Sequence, residues 1–267
     1  MISRDEYNLK INYSLGLKIE LTKIRIMEAV NLFGLDGVYI SFSGGKDSTV
    51  LLDIARKLYP DIKAVFSDTG LEYPEIKEFI KTHDNVDIVR PKISFKQVIE
   101  KYGYPVISKE QSNYIYRVRN TKSEGEYNKY FHGINRDGSK TSFHVSEKWK
   151  YMIDAPFKIS DKCCDKLKKE PLKRYEKETG RIPIIATMAC ESKQRERQYL
   201  ETGCNAFDGK RPMSKPMSIW TEQDVLRYIK ENNLTIASVY GDIMEDENGK
   251  FTTTGEKRTG WLNSRAK

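Results

Sequence analysis

The sequence lacks the features of membrane-spanning, secreted and histidine-rich metal proteins. No apolar run approaches the roughly 20 residues that a membrane helix needs, and the first residues contain no apolar block of a signal peptide. The 267 residues include four cysteines and three histidines, without the spacing of a disulfide framework or a histidine-ligated metal site. These absences predict a cytoplasmic protein with no histidine-held metal and no membrane partner, whose cysteines are reduced thiols or the remnant of a metal cluster.

Positive charge is what the sequence has in excess. Lysine and arginine number 46 against 38 acidic residues, which gives a formal net charge of +8. Such an excess attracts nucleotides, nucleic acid or an acidic protein partner, although a solvated lysine-rich surface produces the same balance. The hydrophobic content of 38% is that of a globular chain, and we expect one domain over residues 1–267.

Apolar patterns typical of strands and helices alternate along the first hundred residues. A helix over 13–33 is followed by predicted strands and helices in turn, at 38–40, 47–58, 62–66, 75–81, 86–89 and 95–102. This alternation predicts an α/β fold with a doubly wound, mainly parallel sheet. Ligands of such sheets bind beyond the carboxyl ends of the strands, where short polar turns follow Ile40 and Phe66.

The alternation is interrupted at 103–160, a stretch rich in tyrosine and basic residues. We interpret it as a lid-like insertion, because it shows no clear periodicity. Regular elements resume with predicted helices at 161–177, 191–201 and 221–232 and a strand at 182–186. Residues 241–267 are interpreted as a short polar C-terminal tail.

The most informative motif is Ser-Gly-Gly-Lys-Asp-Ser at 43–48, here called the phosphate loop. Its paired glycines allow a tight turn that presents backbone N–H groups to an anion, and Lys46 adds a cation. The helix that begins near Asp47 directs its positive end to the same place. The loop is not a Walker A motif, because Asp47 stands where Ser or Thr is required. It predicts a phosphate site; the alternative is an ordinary glycine-rich turn.

Residues 41–48 and 67–75 resemble the phosphoadenosine phosphosulfate (PAPS) reductase family, within the ATP pyrophosphatase (PP-loop) superfamily. Further stretches similar to that family lie at 159–164, 191–195 and 220–225. The resemblance implies an enzyme that binds an adenine nucleotide: ATP, PAPS or adenosine phosphosulfate (APS). The nucleotide-binding residues that it implies are Ser41, Ser43, Gly44, Gly45, Lys46, Asp47, Ser48, Asp68, Thr69 and Gly70.

Three of the residues in these motifs are expected to take part in catalysis: Lys46, Asp47 and Arg195. Lys46 and Arg195 would stabilise charge on the phosphates, and Asp47 would help to hold Mg²⁺ when ATP is the substrate. Two alternatives stay open. Asp68 could serve only a turn, and Arg195 could be a surface helix charge.

The cysteines match only part of the family's pattern. In members that carry an iron–sulfur cluster, a Cys-Cys pair combines with a later Cys-x-x-Cys, and here only Cys163 and Cys164 match. We therefore expect no iron–sulfur cluster. Sulfonucleotide reductases resemble one another in a nucleophilic cysteine near the C-terminus. No cysteine follows Cys204 in this sequence, so we expect that nucleophile to be missing.

Three functions are compatible with these motifs. The first is cleavage of ATP between its α- and β-phosphates, which transfers an adenylyl group to an acceptor. The second is reduction of PAPS or APS with a thiol from elsewhere. The third is a non-catalytic nucleotide-binding subunit of a sulfur-transfer or nucleic-acid-modifying complex.

Overall fold

The computed structural model describes residues 1–259, which divide into two compact units. The first unit contains Met1–Ser67, Glu72–Val89 and the described residues from Lys173 onward. The second contains Asp68–Leu71 and Arg90–Leu172. The predicted insertion at 103–160 lies within the second unit.

A six-stranded sheet with the strand order β3-β2-β1-β4-β6-β5 forms the centre of the first unit. Its strands are β1 (Val38–Ser41), β2 (Ala64–Ser67), β3 (Val86–Val89), β4 (Ile182–Ile184), β5 (Asn205–Ala206) and β6 (Met213–Ser214). Neighbouring strands are parallel except β5 and β6, which are antiparallel. The predicted doubly wound, mainly parallel α/β fold is confirmed.

Helices surround this sheet and form most of the second unit. They are α1 (Arg4–Ile11), α2 (Leu15–Phe33), α3 (Lys46–Leu58), α4 (Pro74–Lys81), α5 (Phe95–Tyr102), α6 (Lys109–Asn120), α7 (Glu124–Tyr127), α8 (Lys162–Cys164), α9 (Glu170–Thr179), α10 (Lys193–Thr202) and α11 (Glu222–Glu231). Within the described part of the chain, no helix is long and apolar enough to cross a membrane.

Several elements differ from the sequence-based expectation. The helix predicted at 161–177 is divided by a π-helical stretch, Asp165–Lys169, and the stretch predicted to lack periodicity contains the regular helix α6. The segment interpreted as a polar tail contains an antiparallel hairpin of β7 (Ile243–Glu245) and β8 (Phe251–Thr253). Phe251 anchors the hairpin, because its backbone exchanges two hydrogen bonds with the Gln223 side chain of α11.

The apolar core of the first unit holds β1 in the middle of the sheet. Val38, Tyr39 and Ile40 are all fully buried, as expected for a strand covered on both faces. The chain passes from β1 outward to β2 and β3 and then returns to β4 on the other side of β1. The loops after β1 and β4 therefore leave the sheet at a topological switch point, where α/β sheets form a ligand crevice.

The second unit has small cores of its own. One packs α6 through Ile115 and Val118 against Val145 and Ile159. The other joins Val98 of α5 to Cys163 and Leu167. Both cores join residues more than 25 positions apart in the chain, so they form only when the second unit folds.

Candidate functional site

The phosphate loop connects β1 to α3 and is closed by its own serines. The Ser48 hydroxyl accepts a hydrogen bond from the Ser43 backbone N–H at 3.1 Å and donates one to the Gly45 carbonyl at 2.9 Å. The Ser43 hydroxyl accepts from the Gly45 backbone N–H at 3.3 Å. These contacts bend the chain into a compact turn directly before the first residue of α3, Lys46.

Gly44 shows why this turn requires glycine. Its φ is +70°, and a Cβ atom there would lie 2.8 Å from Cγ2 of Ile76. We expect Gly44→Ala to lower the free energy of unfolding by about 1 to 3 kcal/mol, because it adds left-handed strain and overpacking. Urea denaturation measures this change. Gly209→Ala is the matched control, since its Cβ would meet nothing within 4 Å; equal losses in both variants would contradict the explanation.

Lys46 lies almost wholly inside the protein, 4% exposed, at the start of α3. Its ammonium group contacts Glu222 Oε1 at 3.1 Å, the Lys257 carbonyl at 3.2 Å and Asp47 Oδ1 at 3.6 Å. Its backbone N–H donates to the Tyr240 hydroxyl at 3.3 Å. A buried lysine at a helix start, held by two carboxylates and a carbonyl, lies where the helix dipole favours an anion.

Asp47 carries an unusual carboxylate. Its Oδ1 atom is buried and has no hydrogen-bond partner among residues 1–259. Burial raises the pKa of Asp47, and the nearby Lys46 ammonium only partly opposes this. An orphaned carboxylate oxygen beside a buried ammonium is a group that a cation or a proton could satisfy.

This environment makes Asp47 a source of instability at neutral pH. Because its native pKa is raised, folding favours the protonated carboxyl, and the stabilisation by that proton is lost as the pH rises. We expect Asp47→Asn to raise the free energy of unfolding at pH 7. The gain should shrink as the pH falls and should vanish below about 3.9, the ordinary pKa of aspartate, where the carboxyl becomes protonated in both states.

Urea denaturation of Asp47→Asn at pH 7 and at about pH 4 measures this pH dependence. The control is Asp208→Asn, because Asp208 is exposed and its exchange should have little effect on stability at either pH. A gain at pH 7 that persists undiminished in acid would show that burial of the charge is not its cause.

Arg195 belongs to the same unit as the phosphate loop. It lies in the first turn of α10, which Ser192 caps, and its guanidinium pairs with Glu191. Burial and the neighbouring Arg258 lower the pKa of Arg195, while Asp47 acts in the opposite direction. The cations Lys46, Arg195 and Arg258 are thus within electrostatic reach of one carboxylate, Asp47.

Three groups at this site were not predicted. They are Glu222 at the start of α11, Tyr240, and Arg258, which pairs with Glu191 at 3.7 Å. The Tyr240 hydroxyl also lies 2.6 Å from the Thr259 hydroxyl. Glu222 lies in one of the family-like stretches and could have been suggested by it. Tyr240 and Arg258 carry no such signal, because they border or lie in the segment interpreted as a tail.

The other predicted nucleotide-binding residues lie at or directly after the ends of β1 and β2. Ser41 is the last residue of β1. Asp68, Thr69 and Gly70 follow β2 in the chain and belong to the second unit. Asp68 accepts a hydrogen bond from the Gly70 backbone N–H at 3.1 Å and pairs with Arg90 at 3.1 Å. Asp68 therefore makes the turn contact that was the alternative to a nucleotide-binding role.

The cysteines are divided between the units. Cys163 and Cys164 lie in the second unit, where the hydrogen bond from Cys163 and nearby lysines lower the pKa of the Cys164 thiol. Cys190 and Cys204 belong to the first unit. Within residues 1–259, no three His, Cys, Asp or Glu side chains form a cluster that could hold a metal ion.

Comparisons with known proteins give this geometry a context. An uncharacterized protein of Methanocaldococcus jannaschii is 36% identical over 106 residues, which are 38% of this chain and 25% of that protein. A phosphoadenosine 5′-phosphosulfate reductase of Gloeobacter violaceus is 27% identical over 211 residues, covering 78% of this chain and 67% of the reductase. This chain thus spans only a quarter of the first relative and about two thirds of the second.

A solved structure is also similar in part. The PAPS reductase of Candida auris, in a phosphate complex, has a TM-score of 0.46 and 17% identity, covering 94% of this chain and 98% of that one.

A family model extends the likeness over most of the sequence. The phosphoadenosine phosphosulfate reductase domain matches residues 37–146 and 135–245, which together are more than half of the chain. Its matched region includes the phosphate loop, β2 with the turn that follows it, Arg195 and Glu222. The protein is therefore related to enzymes that reduce sulfonucleotides. The chain belongs to the phosphoadenosine phosphosulfate reductase domain family.

Proposed function

We propose that this protein binds ATP at the phosphate loop and cleaves it between the α- and β-phosphates, transferring an adenylyl group to an acceptor. The observation that carries the proposal is the buried Lys46 ammonium beside Asp47, whose Oδ1 atom lies 3.6 Å from it and has no hydrogen-bond partner among residues 1–259. An ammonium alone suits any phosphate or sulfate. An ammonium beside a buried carboxylate oxygen that lacks a hydrogen bond suits a polyphosphate that arrives with a cation.

The residues present fit Mg²⁺. Magnesium prefers oxygen ligands and is usually held by one or two carboxylates together with substrate phosphates. Asp47 and Glu222 would supply those carboxylates, since both contact the Lys46 ammonium, at 3.6 and 3.1 Å. When bound, the ion would neutralise charge on the polyphosphate.

The proposed step is a displacement at phosphorus. An acceptor oxygen forms a bond to the α-phosphorus, and the bond from that phosphorus to the oxygen bridging to the β-phosphate breaks. Pyrophosphate leaves with the electron pair and the negative charge. Lys46 would stabilise the charge that develops on the phosphates, Arg195 would bind the departing group, and the positive end of α3 would orient the chain of phosphates.

Pyrophosphate release from ATP tests this proposal. Purified protein should release pyrophosphate when ATP is supplied with a mixture of candidate acceptors, and adenosine should appear in an adenylylated product. Lys46→Ala should abolish release. Binding of ATP without any pyrophosphate, under conditions where PAPS yields sulfite, would reject adenylyl transfer.

Reduction of a sulfonucleotide is the second candidate, and the name of the Gloeobacter relative favours it. In that reaction a thiolate attacks the sulfur of the sulfate group, the sulfur–oxygen bond to the nucleotide breaks, and a second thiol releases sulfite. Among the cysteines of the described chain, Cys164 has a lowered thiol pKa. Sulfite release from PAPS or APS in the presence of thioredoxin would support this candidate.

A further inference from the structure

A small cavity in the first unit lies beside Arg195. Its volume is about 20 Å³, and its lining includes the polar side chains of Thr187, Arg195, Gln198, Lys215 and Ser218. A space of this size holds one oxygen-sized atom. The cavity is not formed by the phosphate loop, and the sequence motifs single out only Arg195 among these residues.

The sheet brings the lining residues together. Thr187 follows β4 and Lys215 follows β6, and these strands are parallel neighbours. The carboxyl ends of parallel neighbours meet at one edge of the sheet, which is the edge where α/β folds bind ligands. Arg195 reaches the cavity from the first turn of α10.

Charge is the unusual property of this cavity. Burial lowers the pKa of Lys215, and the positive charge of Arg195 lowers it further. Within residues 1–259, Lys215 forms no ion pair; its ammonium group contacts only the amide oxygen of Gln198, at 3.4 Å. Two half-buried cations therefore face one cavity, while the nearby acid, Glu191, is already shared between Arg195 and Arg258.

A hydrogen-bond donor completes the lining. Thr187 Oγ1 is buried and has no partner in the described chain. The Ser218 hydroxyl, by contrast, already donates to the Lys215 carbonyl at 2.7 Å. An unpaired hydroxyl beside two cations can be satisfied by an anionic oxygen, which would also offset the repulsion between the cations.

We propose that this cavity, the Lys215 pocket, receives one oxygen of a tetrahedral oxyanion, a phosphate or sulfate group, as an anion site separate from the phosphate loop. The proposal rests on the proposed function only in its expectation that an adenine nucleotide binds at the phosphate loop; the group in the pocket would lie outside the 5′-phosphate chain, which ATP alone does not supply. Lys215 and Thr187 hold the oxygen, and Arg195 pairs with the outer face of the group. The same chemistry would also bind a free anion.

Calorimetry with two nucleotides distinguishes a group carried on the nucleotide from a free one. Adenosine 3′,5′-bisphosphate and AMP differ only by a second phosphate. We expect Lys215→Gln to weaken binding of the bisphosphate by about 10-fold or more, and to change AMP binding less than about 2-fold. Lys215→Arg should restore most of the loss. Lys210→Gln is the matched control, an exposed lysine five positions earlier.

Free anion binding is measured through thermal stability. Sulfate, compared with chloride at equal ionic strength, should raise the melting temperature of the wild type and not that of Lys215→Gln. If Lys215→Gln abolishes the stabilisation by sulfate but leaves the affinities for the bisphosphate and AMP unchanged, the pocket is supported and its occupant is a free anion. Thr187→Val, which removes the hydroxyl and keeps the shape, should weaken the same ligand by about 3- to 10-fold.

Different results would contradict the Lys215 pocket and the proposed function. Lys46→Ala should weaken AMP and the bisphosphate equally, because it removes the loop cation that both share. If Lys46→Ala has no effect, the phosphate loop is not the nucleotide site, whatever the Lys215 variants do. If correctly folded Lys215→Gln and Thr187→Val bind both nucleotides and sulfate as the wild type does, the Lys215 pocket is not an anion site.

Discussion

Replacement of Lys46 by alanine is expected to weaken ATP binding by about 10- to 100-fold, the range for a lost hydrogen bond to a charged group. Lys46 is 4% exposed, so its ammonium group has little bound water to lose when it binds a phosphate. It also lies at the start of α3, where the helix dipole favours an anion. Isothermal titration calorimetry with ATP measures the change directly.

Lys57→Ala is the matched control for this experiment. Lys57 lies at the far end of the same helix, is half exposed and pairs with Asp53 at 2.8 Å. Its removal takes the same charge from the same element without touching the phosphate loop. Unchanged ATP affinity in Lys46→Ala, or an equal loss in both variants, would remove the phosphate loop as the nucleotide site.

Replacement of Lys18 by methionine is expected to lower the free energy of unfolding by about 3 to 5 kcal/mol, the usual loss when one partner of a buried ion pair is removed. Lys18 is 2% exposed, and its ammonium lies 2.6 Å from Asp224 Oδ2 and 2.7 Å from the Ile11 carbonyl. Methionine keeps the length of the side chain but leaves the Asp224 carboxylate without its counter-charge. Urea denaturation measures the loss.

The Lys18 pair also supports the candidate site. The Asp224 carboxylate accepts hydrogen bonds from the backbone N–H and the hydroxyl of Thr221, both at 2.7 Å, and so stabilises the start of α11. Glu222, which contacts Lys46, is the next residue after Thr221. We therefore expect Lys18→Met to weaken ATP binding as well, although less than Lys46→Ala does.

A more exposed pair on the same helix provides the control. Lys23 and Glu20 are 2.7 Å apart, with 30% and 63% of their side chains exposed, against 2% and 16% for Lys18 and Asp224. Lys23→Met should change the free energy of unfolding by no more than about 0.5 kcal/mol. If the Lys18 and Lys23 variants lose the same stability, burial of the Lys18 pair is not the source of the effect.

Much of the first unit was predictable because its signals are local. The strand at 86–89 has the predicted bounds, and α3 begins one residue before its predicted start. The helix at 95–102, in the second unit, also has the predicted bounds. Each has an uninterrupted apolar pattern with a clear start or stop, which depends only on neighbouring residues. The turn at Gly44 was predictable for the same reason. Two adjacent glycines between a strand and a helix indicate a backbone conformation that other residues rarely adopt.

The elements that were missed lack such signals. β5 and β6 have two residues each, too few for a strand pattern, and they exist because β6 pairs with β4. Helix α1 has Tyr7 as its buried residue, so it presents almost no apolar stripe. The π-helical stretch at Asp165–Lys169 depends on how Leu167 packs against Val98 and Cys163, which no periodicity reveals.

The strands and helices of residues 38–102, the phosphate loop and the family of the chain could be predicted from sequence alone, because each depends on a few consecutive residues. The distant groups that surround Lys46 and those that line the Lys215 pocket became known only from the folded structure. Glu222 and Tyr240 lie more than 170 positions from Lys46 along the chain, and Thr187 and Lys215 are adjacent only because β4 and β6 are paired. Side chains so far apart in sequence meet through packing, and packing leaves no local pattern.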